Sequence, residues 1–234
     1  MRIIAIVSSM RCLPISGPLK CNWGATTLLL LGLANPVAAQ AITTDPAQPN
    51  EHRAVDVVEF VAGGGVAFLA HESAHLFFDV LFDTTPVVKS VHFGPIPFFA
   101  VSHVSATPAQ EFIISSAGFW TQEATDEWLL SRRPDIRREH APFAKGVLAF
   151  NVLTSIGYGT VAMFEAGPAE RDTRGMAVAS GIDERVIGAI VMAPAILDAY
   201  RYVRPASRWA PWTSRALKIG SVLLALKQTS SGRR

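Results

Sequence analysis

His71-Glu72-Ser73-Ala74-His75 is where residue type and spacing together specify chemistry in this chain. On a helix, positions four apart lie one turn above each other on the same face, so both imidazoles can reach one ion. The glutamate beside the first histidine then points toward the ion's open position, where it can take a proton from water. Zinc suits such a site: it brings the pKa of its water to around 7, and the hydroxide attacks a polarised carbonyl. The neighbouring residues are apolar, which excludes water and makes each metal bond count for more. Two histidines and a glutamate in such a helix, without a metal, would be poorly satisfied.

Zinc needs a third protein ligand, and sulfur is excluded from the candidates. Both cysteines, Cys12 and Cys21, lie in the first 41 residues, so a site in residues 42–234 must use His, Asp or Glu. Asp172 comes after the turn Gly167-Pro168 and opens a helix leading to an apolar stretch. Glu123, with Glu127 four residues on as its supporting partner, resembles the downstream glutamate of soluble gluzincin-type proteases. Asp198 lies inside an apolar stretch and is a third candidate. Ligand chemistry alone leaves the three open.

The elements that must position these groups read as membrane helices. Of 234 residues, 50% are hydrophobic and 17% charged, against about 25% charged in an ordinary soluble domain. The mean hydropathy is +0.29. Disorder is excluded. Three of the 21 basic residues and none of the 19 acidic ones lie in residues 1–41, so the remainder is nearly neutral. That leaves no basic face for nucleic acid.

Residues 1–41 combine basic residues, the apolar run Ala25 to Leu33 and a small-residue end, Val37-Ala38-Ala39-Gln40-Ala41. This is the pattern of a signal peptide or signal anchor, so the chain is expected to be exported and to reside in a membrane, a bacterial inner membrane by this reading. Residues 42–56 read as a polar linker. Beyond the linker lie four apolar stretches: Val57 to Phe82, Pro108 to Leu130, Ala144 to Phe164 and Arg185 to Tyr202. Alternation over Val87 to Phe93, the turn signal Gly94-Pro95 and the run Phe98 to Val101 predict a small β-hairpin after the first helix, with Pro97 at an edge. The expected fold is mainly α, a polytopic membrane bundle of about four apolar helices over residues 57–204. The basic tail, 205–234, is expected to carry a short interfacial helix with Trp209 and Trp212 at the headgroups. If the second stretch spans, Arg132, Arg133, Arg137 and Arg138 fall outside the cytoplasm, against the positive-inside tendency. The spanning arrangement is kept because ligand geometry is the harder constraint.

Over residues 57–200 the chain resembles the site-2 protease family of intramembrane zinc metallopeptidases. The resemblance rests on His71-Glu72-Ser73-Ala74-His75, the hairpin, Ser116-Ala117-Gly118-Phe119 and Phe150-Asn151-Val152-Leu153. It implies that His71 and His75 bind zinc, that Glu72 is the catalytic glutamate, that Asp172 is the third ligand and that Asn151 helps hold substrate. The sequence departs from the family pattern at Phe119 and Thr154, where prolines are expected, and at Thr173, where the family has a glycine after the aspartate. The function so implied is hydrolysis of a peptide bond in or near the bilayer, with a peptide or membrane-protein substrate and membrane lipids as surroundings. Two alternatives stand beside it: a metal-binding or degenerate membrane protein without catalysis, and a soluble periplasmic gluzincin using Glu123.

Overall fold

The computed structural model describes residues 49–93, 96–104 and 106–231. The expected leader and the Gly94-Pro95 turn lie outside the described residues. The described residues form eight elements in order: α1 (Pro49–Leu81), β1 (Thr85–Phe93), β2 (Ile96–Val104), α2 (Pro108–Arg132), α3 (Pro142–Met163), α4 (Asp172–Ser180), α5 (Glu184–Val203) and α6 (Ala210–Ser231).

Local chemistry sets several of the helix ends. α1 stops where Asp83 turns left-handed (φ 54°), a conformation that aspartate tolerates better than most residues. Thr84 Oγ1 donates to the Asp79 carboxylate at 2.6 Å and closes that end. α2 opens with a reciprocal cap: the Gln110 amide donates to Thr107 Oγ1 at 3.3 Å, and the Thr107 amide donates to Gln110 Oε1 at 2.9 Å. α4 ends at Gly181, whose φ of 69° suits a residue without a side chain. β1 and β2 pair antiparallel, Val88 opposite Val101 and His92 opposite Pro97. In a two-stranded sheet both strands are edges, which is why Pro97 is tolerated.

Glycine allows the closest helix crossings. Gly63 of α1 lies against the Phe143 carbonyl, and Gly146 of α3 against the Phe60 carbonyl; a methyl group at either would overlap that backbone. Gly159 and Gly188 bring α3 and α5 together in the same way. α2 runs between two apolar clusters. Leu129 and Leu130 pack with Ala67, Val147 and Val152 on one side, and Phe112 and Phe119 pack with Met176, Ile187 and Val191 on the other.

Among the described residues three helices are long and apolar enough to cross a membrane: His52–Leu81, Pro142–Met163 and Glu184–Val203. The outward residues of α1, among them Val57, Val61, Leu69, Phe77 and Val80, are exposed. These features are compatible with a membrane location. The second stretch, expected as a fourth such helix, forms α2 but is not among the three. Its C-terminal half carries Glu123, Asp126 and Glu127, and charges at that density work against insertion as a simple span.

The structure differs from the sequence reading at two other places. Residues 49–56, expected as linker, already belong to α1. The tail is also more than a short interfacial helix: α6 has 22 residues, and Ala210, Ser214, Lys218, Ser221 and Ala225 are buried. Its inward face is small and polar because it meets the acidic side of α2 and the end of α5.

Candidate metal centre

His71 and His75 stand one turn apart on α1, both buried. Asp172, the first residue of α4, faces them. His71 Nε2 lies 3.3 Å from Asp172 Oδ2, and His75 Nε2 lies 3.6 Å from the same oxygen. Among the described residues this is the group of three whose ligand atoms all fall within 4.8 Å of one another. Zinc–nitrogen and zinc–oxygen bonds of about 2.0–2.1 Å at tetrahedral angles set ligand atoms roughly 3.3 Å apart. The donor set and its spacing therefore fit a four-coordinate divalent ion, with one position left for water or substrate.

The surrounding protein orients each ligand. His75 Nδ1 donates to the Ile114 carbonyl of α2 at 2.7 Å, which leaves Nε2 as the ring atom turned toward Asp172. His71 is held by shape. A methyl group at Gly118 would overlap its imidazole ring, and Phe119 and Tyr158 pack around it, with ring centroids 5.5 and 6.3 Å away. This gives Ser116-Ala117-Gly118 a physical reason: the helix next to His71 must have no side chain there.

Asp172 is fixed through its neighbours. Arg171 forms a two-pronged pair with Glu184 at the start of α5, at 2.6 and 2.7 Å, and Thr173 Oγ1 donates to the same carboxylate at 3.3 Å. Thr173 thus helps anchor the start of α4, which carries Asp172. Burial raises the affinity of the Asp172 carboxyl for its proton, but His75 and His71 outweigh it and hold the group below the usual carboxylate range. Asp172 therefore stays ionised, the form that binds a cation.

Glu72 is half-buried next to this group and close enough to interact electrostatically with His71, His75 and Asp172. The remaining candidates lie elsewhere. Glu123 accepts from Ser221 Oγ of α6 at 3.1 Å. Asp198 is paired with Lys218 at 2.7 Å and Arg201 at 3.1 Å. Neither belongs to the His71–His75–Asp172 group. Asn151 is buried on α3, where its side-chain amide donates to Asp126 at 2.7 Å. It borders a separate cleft between α1, α2 and α3.

A second arrangement beside the centre has little signal in the sequence. His103 of β2 reaches between α1 and α2, hydrogen-bonded to Glu111 and 3.5 Å from Asp79. A cavity of about 130 Å³ is lined by His75, His103, Glu111, Ser115 and Asp172, so this clasp shares a wall with the candidate ligands. Asp79, four residues beyond His75 on the same helix face, is the only visible hint. Its partner on the hairpin cannot be read from local pattern.

No protein-family model, curated protein or solved structure matches this chain.

Proposed function

We propose that this chain is a membrane-embedded zinc metallopeptidase, a divergent relative of the site-2 proteases, that hydrolyses peptide bonds in or near the bilayer. The observation that carries the reading is the convergence of two histidines and one aspartate, from helices 101 residues apart in sequence, with Glu72 next to them. A zinc ion held by His71, His75 and Asp172 would supply Lewis acidity toward a peptide carbonyl and acidify water. Glu72 takes a proton from the attacking water as its oxygen bonds to the carbonyl carbon. It returns that proton to the amine nitrogen as the carbon–nitrogen bond breaks. Ile114 keeps His75 in the ligating tautomer throughout, and Gly118 leaves His71 its space. Three apolar helices support a membrane location, with export to a bacterial inner membrane as part of the proposal.

A metal-binding protein without catalysis has no use for a carboxylate at position 72, which favours the hydrolytic reading. Purified protein should retain about one zinc per chain and cleave an apolar peptide. Glu72→Gln should keep the zinc and lower the rate at least a hundredfold, the scale of losing a general base. Hydrolysis at the wild-type rate in that variant would remove Glu72 from the mechanism.

A further inference from the structure

The connections α2–α3 and α5–α6 meet at one end of the bundle, where Arg137 Nη1 donates to the Val203 carbonyl at 3.4 Å. With the last residue of α2 they carry Arg132, Arg133, Arg137, Arg138, Arg204 and Arg208 against two acids, Asp135 and Glu139. Arg133 pairs with Glu139 at 2.6 Å. The other five arginines are exposed and have no ion pair among the described residues. The opposite end is built differently: Lys89 lies 3.8 Å from Glu170, Arg174 3.8 Å from Glu184 and Arg185 3.1 Å from Glu165. A near-neutral net charge therefore conceals one matched end and one basic end.

Aromatic side chains rim the basic end. Trp128 of α2, Phe143 of α3, Tyr200 of α5 and Trp212 of α6 each lie in the last or first turns of their helices there, and all four are exposed. Trp209, also exposed, packs against Tyr200 with ring centroids 5.3 Å apart, and the Arg215 guanidinium lies 5.5 Å from the Trp212 ring centroid. Tryptophan and tyrosine collect at headgroup level because each joins an apolar ring to a polar tip. Beyond this rim α6 is the reverse of a helix on a watery surface. Ser214, Lys218 and Ser221 are buried, while Ile219, Val222 and Leu223 are exposed. Lipid chains suit that outward face, and the rim and the arginines then fall where headgroups lie.

We propose that this end of the bundle is a docking surface for the headgroups of anionic phospholipids, held by Arg132, Arg138, Arg204 and Arg208, with the aromatic rim setting their depth. A phosphate offers a guanidinium paired acceptors, and a headgroup of net negative charge is attracted where a zwitterionic one is not. A nucleic acid carries the same phosphate, but it would leave the tryptophan rim and the apolar face of α6 without a partner. A bilayer satisfies charge and rim together. Recognition by charge at headgroup level is the same on either face of the membrane. The inference rests on the membrane location proposed above and not on the peptidase chemistry.

Tryptophan quenching by brominated lipid tests it, because Trp128, Trp209 and Trp212 all lie at this end. Full-length protein is reconstituted into bilayers that mix phosphatidylglycerol with phosphatidylcholine, with bromine on the chains of one lipid at a time. Phosphatidylglycerol should be preferred at least about fivefold, the ratio that one arginine near an anionic surface provides, and the preference should shrink at high salt. Replacing Arg132, Arg138, Arg204 and Arg208 together by Gln should bring the two lipids close to equality. Circular dichroism should not change, since the four make no ion pair to lose. Lys89→Gln with Arg185→Gln, at the other end, should leave the preference intact. Equal quenching by the two lipids in wild-type protein would overturn the proposal, as would a preference that survives the fourfold replacement. Abolition of the preference by inorganic phosphate at constant ionic strength would make this a soluble-anion site, and binding of an oligonucleotide that outcompetes the lipid would make it a nucleic-acid site; either overturns it. Protein that stays in solution without detergent or bilayer would remove the membrane reading itself, whereas protein that inserts and shows no preference removes this inference alone.

Discussion

Two of the buried clusters of ionisable groups among the described residues are built on opposite plans. At the α2–α5–α6 junction Glu127 meets Arg201 at 2.6 Å, Arg215 at 2.8 Å and Lys218 at 3.3 Å, while Asp198 meets Lys218 and Arg201. Ser214 donates to Asp198 at 2.8 Å. Acids and bases here answer one another, and the network closes on itself. At the α1–α4 junction the partners are two imidazoles and one carboxylate, whose ligand atoms converge on a common place. A closed network is a scaffold; two imidazoles and a carboxylate converging in this way are a candidate cation site.

If that distinction holds, damage to the two clusters should have different signatures. The largest effect is expected at the histidine–aspartate cluster. His71→Ala or His75→Ala should reduce retained zinc below a tenth of an equivalent, read by elemental analysis, because a site with two protein ligands loses most of its affinity. The fold should survive, as circular dichroism would report. Asp172→Ala should also reduce zinc retention strongly, while Glu123→Ala should leave it nearly unchanged. The reverse order would make Glu123 the ligand and favour a gluzincin-type site.

The closed network should respond in stability and not in metal content. Lys218→Met strands Asp198 next to a single remaining cation and should cost about 3–5 kcal/mol, the scale of breaking a buried pair. Zinc stoichiometry in the surviving folded fraction should remain near one. Replacing both members, Asp198→Leu with Lys218→Met, should recover part of the loss in thermal unfolding, since no charge is then left unpaired. A metal deficit in the single variant would show that the two clusters are not independent.

How far the sequence reveals each cluster depends on the range of the interactions. His71, Glu72 and His75 are legible because helical spacing alone sets them on one face. Asp172 is legible as a carboxylate opening a helix after a turn, although nothing local distinguishes it from Glu123 or Asp198. The hairpin is visible in its alternation, and its strands extend beyond the expected Val87 to Val101 because pairing continues to Thr85 and Val104. α6 is misjudged since its buried face is Ser214, Lys218 and Ser221, which in isolation reads as a solvated side. The same limit hides Asn151: only the folded chain places Asp126, 25 residues away, against its amide.

A milder effect is expected at Gly118. Gly118→Ala should push the His71 ring out of line and lower zinc affinity about 10- to 100-fold, the range seen when support for a ligand is lost. Retention of wild-type affinity would mean that the ring has more room than its packing implies.

The smallest effect concerns the clasp that ties the hairpin to the helices. The hydrogen bond to Glu111 outweighs burial and raises the affinity of His103 for its proton, aided by the charge of Asp79. Burial pushes Glu111 up, and His103 more than offsets it, so that carboxyl lies below its usual range. The histidine's contribution to stability is full below its unfolded pKa of about 6.5 and is lost as pH rises through the raised folded value. The glutamate's contribution is present above its unfolded pKa of about 4.3 and is lost as pH falls through the lowered one. Hydrogen-exchange protection of the strand amides, corrected for intrinsic rates, should therefore fall as pH rises from about 6.5. His103→Asn should flatten that dependence, and a pH profile unchanged by the substitution would exclude the clasp as its source.

Zinc K-edge absorption spectroscopy on the purified full-length protein decides whether His71, His75 and Asp172 hold the metal. The expected spectrum is that of a four-coordinate site of nitrogen and oxygen ligands at about 2.0–2.1 Å, with the outer-shell scattering of two imidazoles and no sulfur. Asp172→Ala should remove one protein oxygen and leave both imidazoles. A spectrum with a sulfur ligand, or one that keeps two imidazoles after His71 and His75 are both replaced, would contradict it.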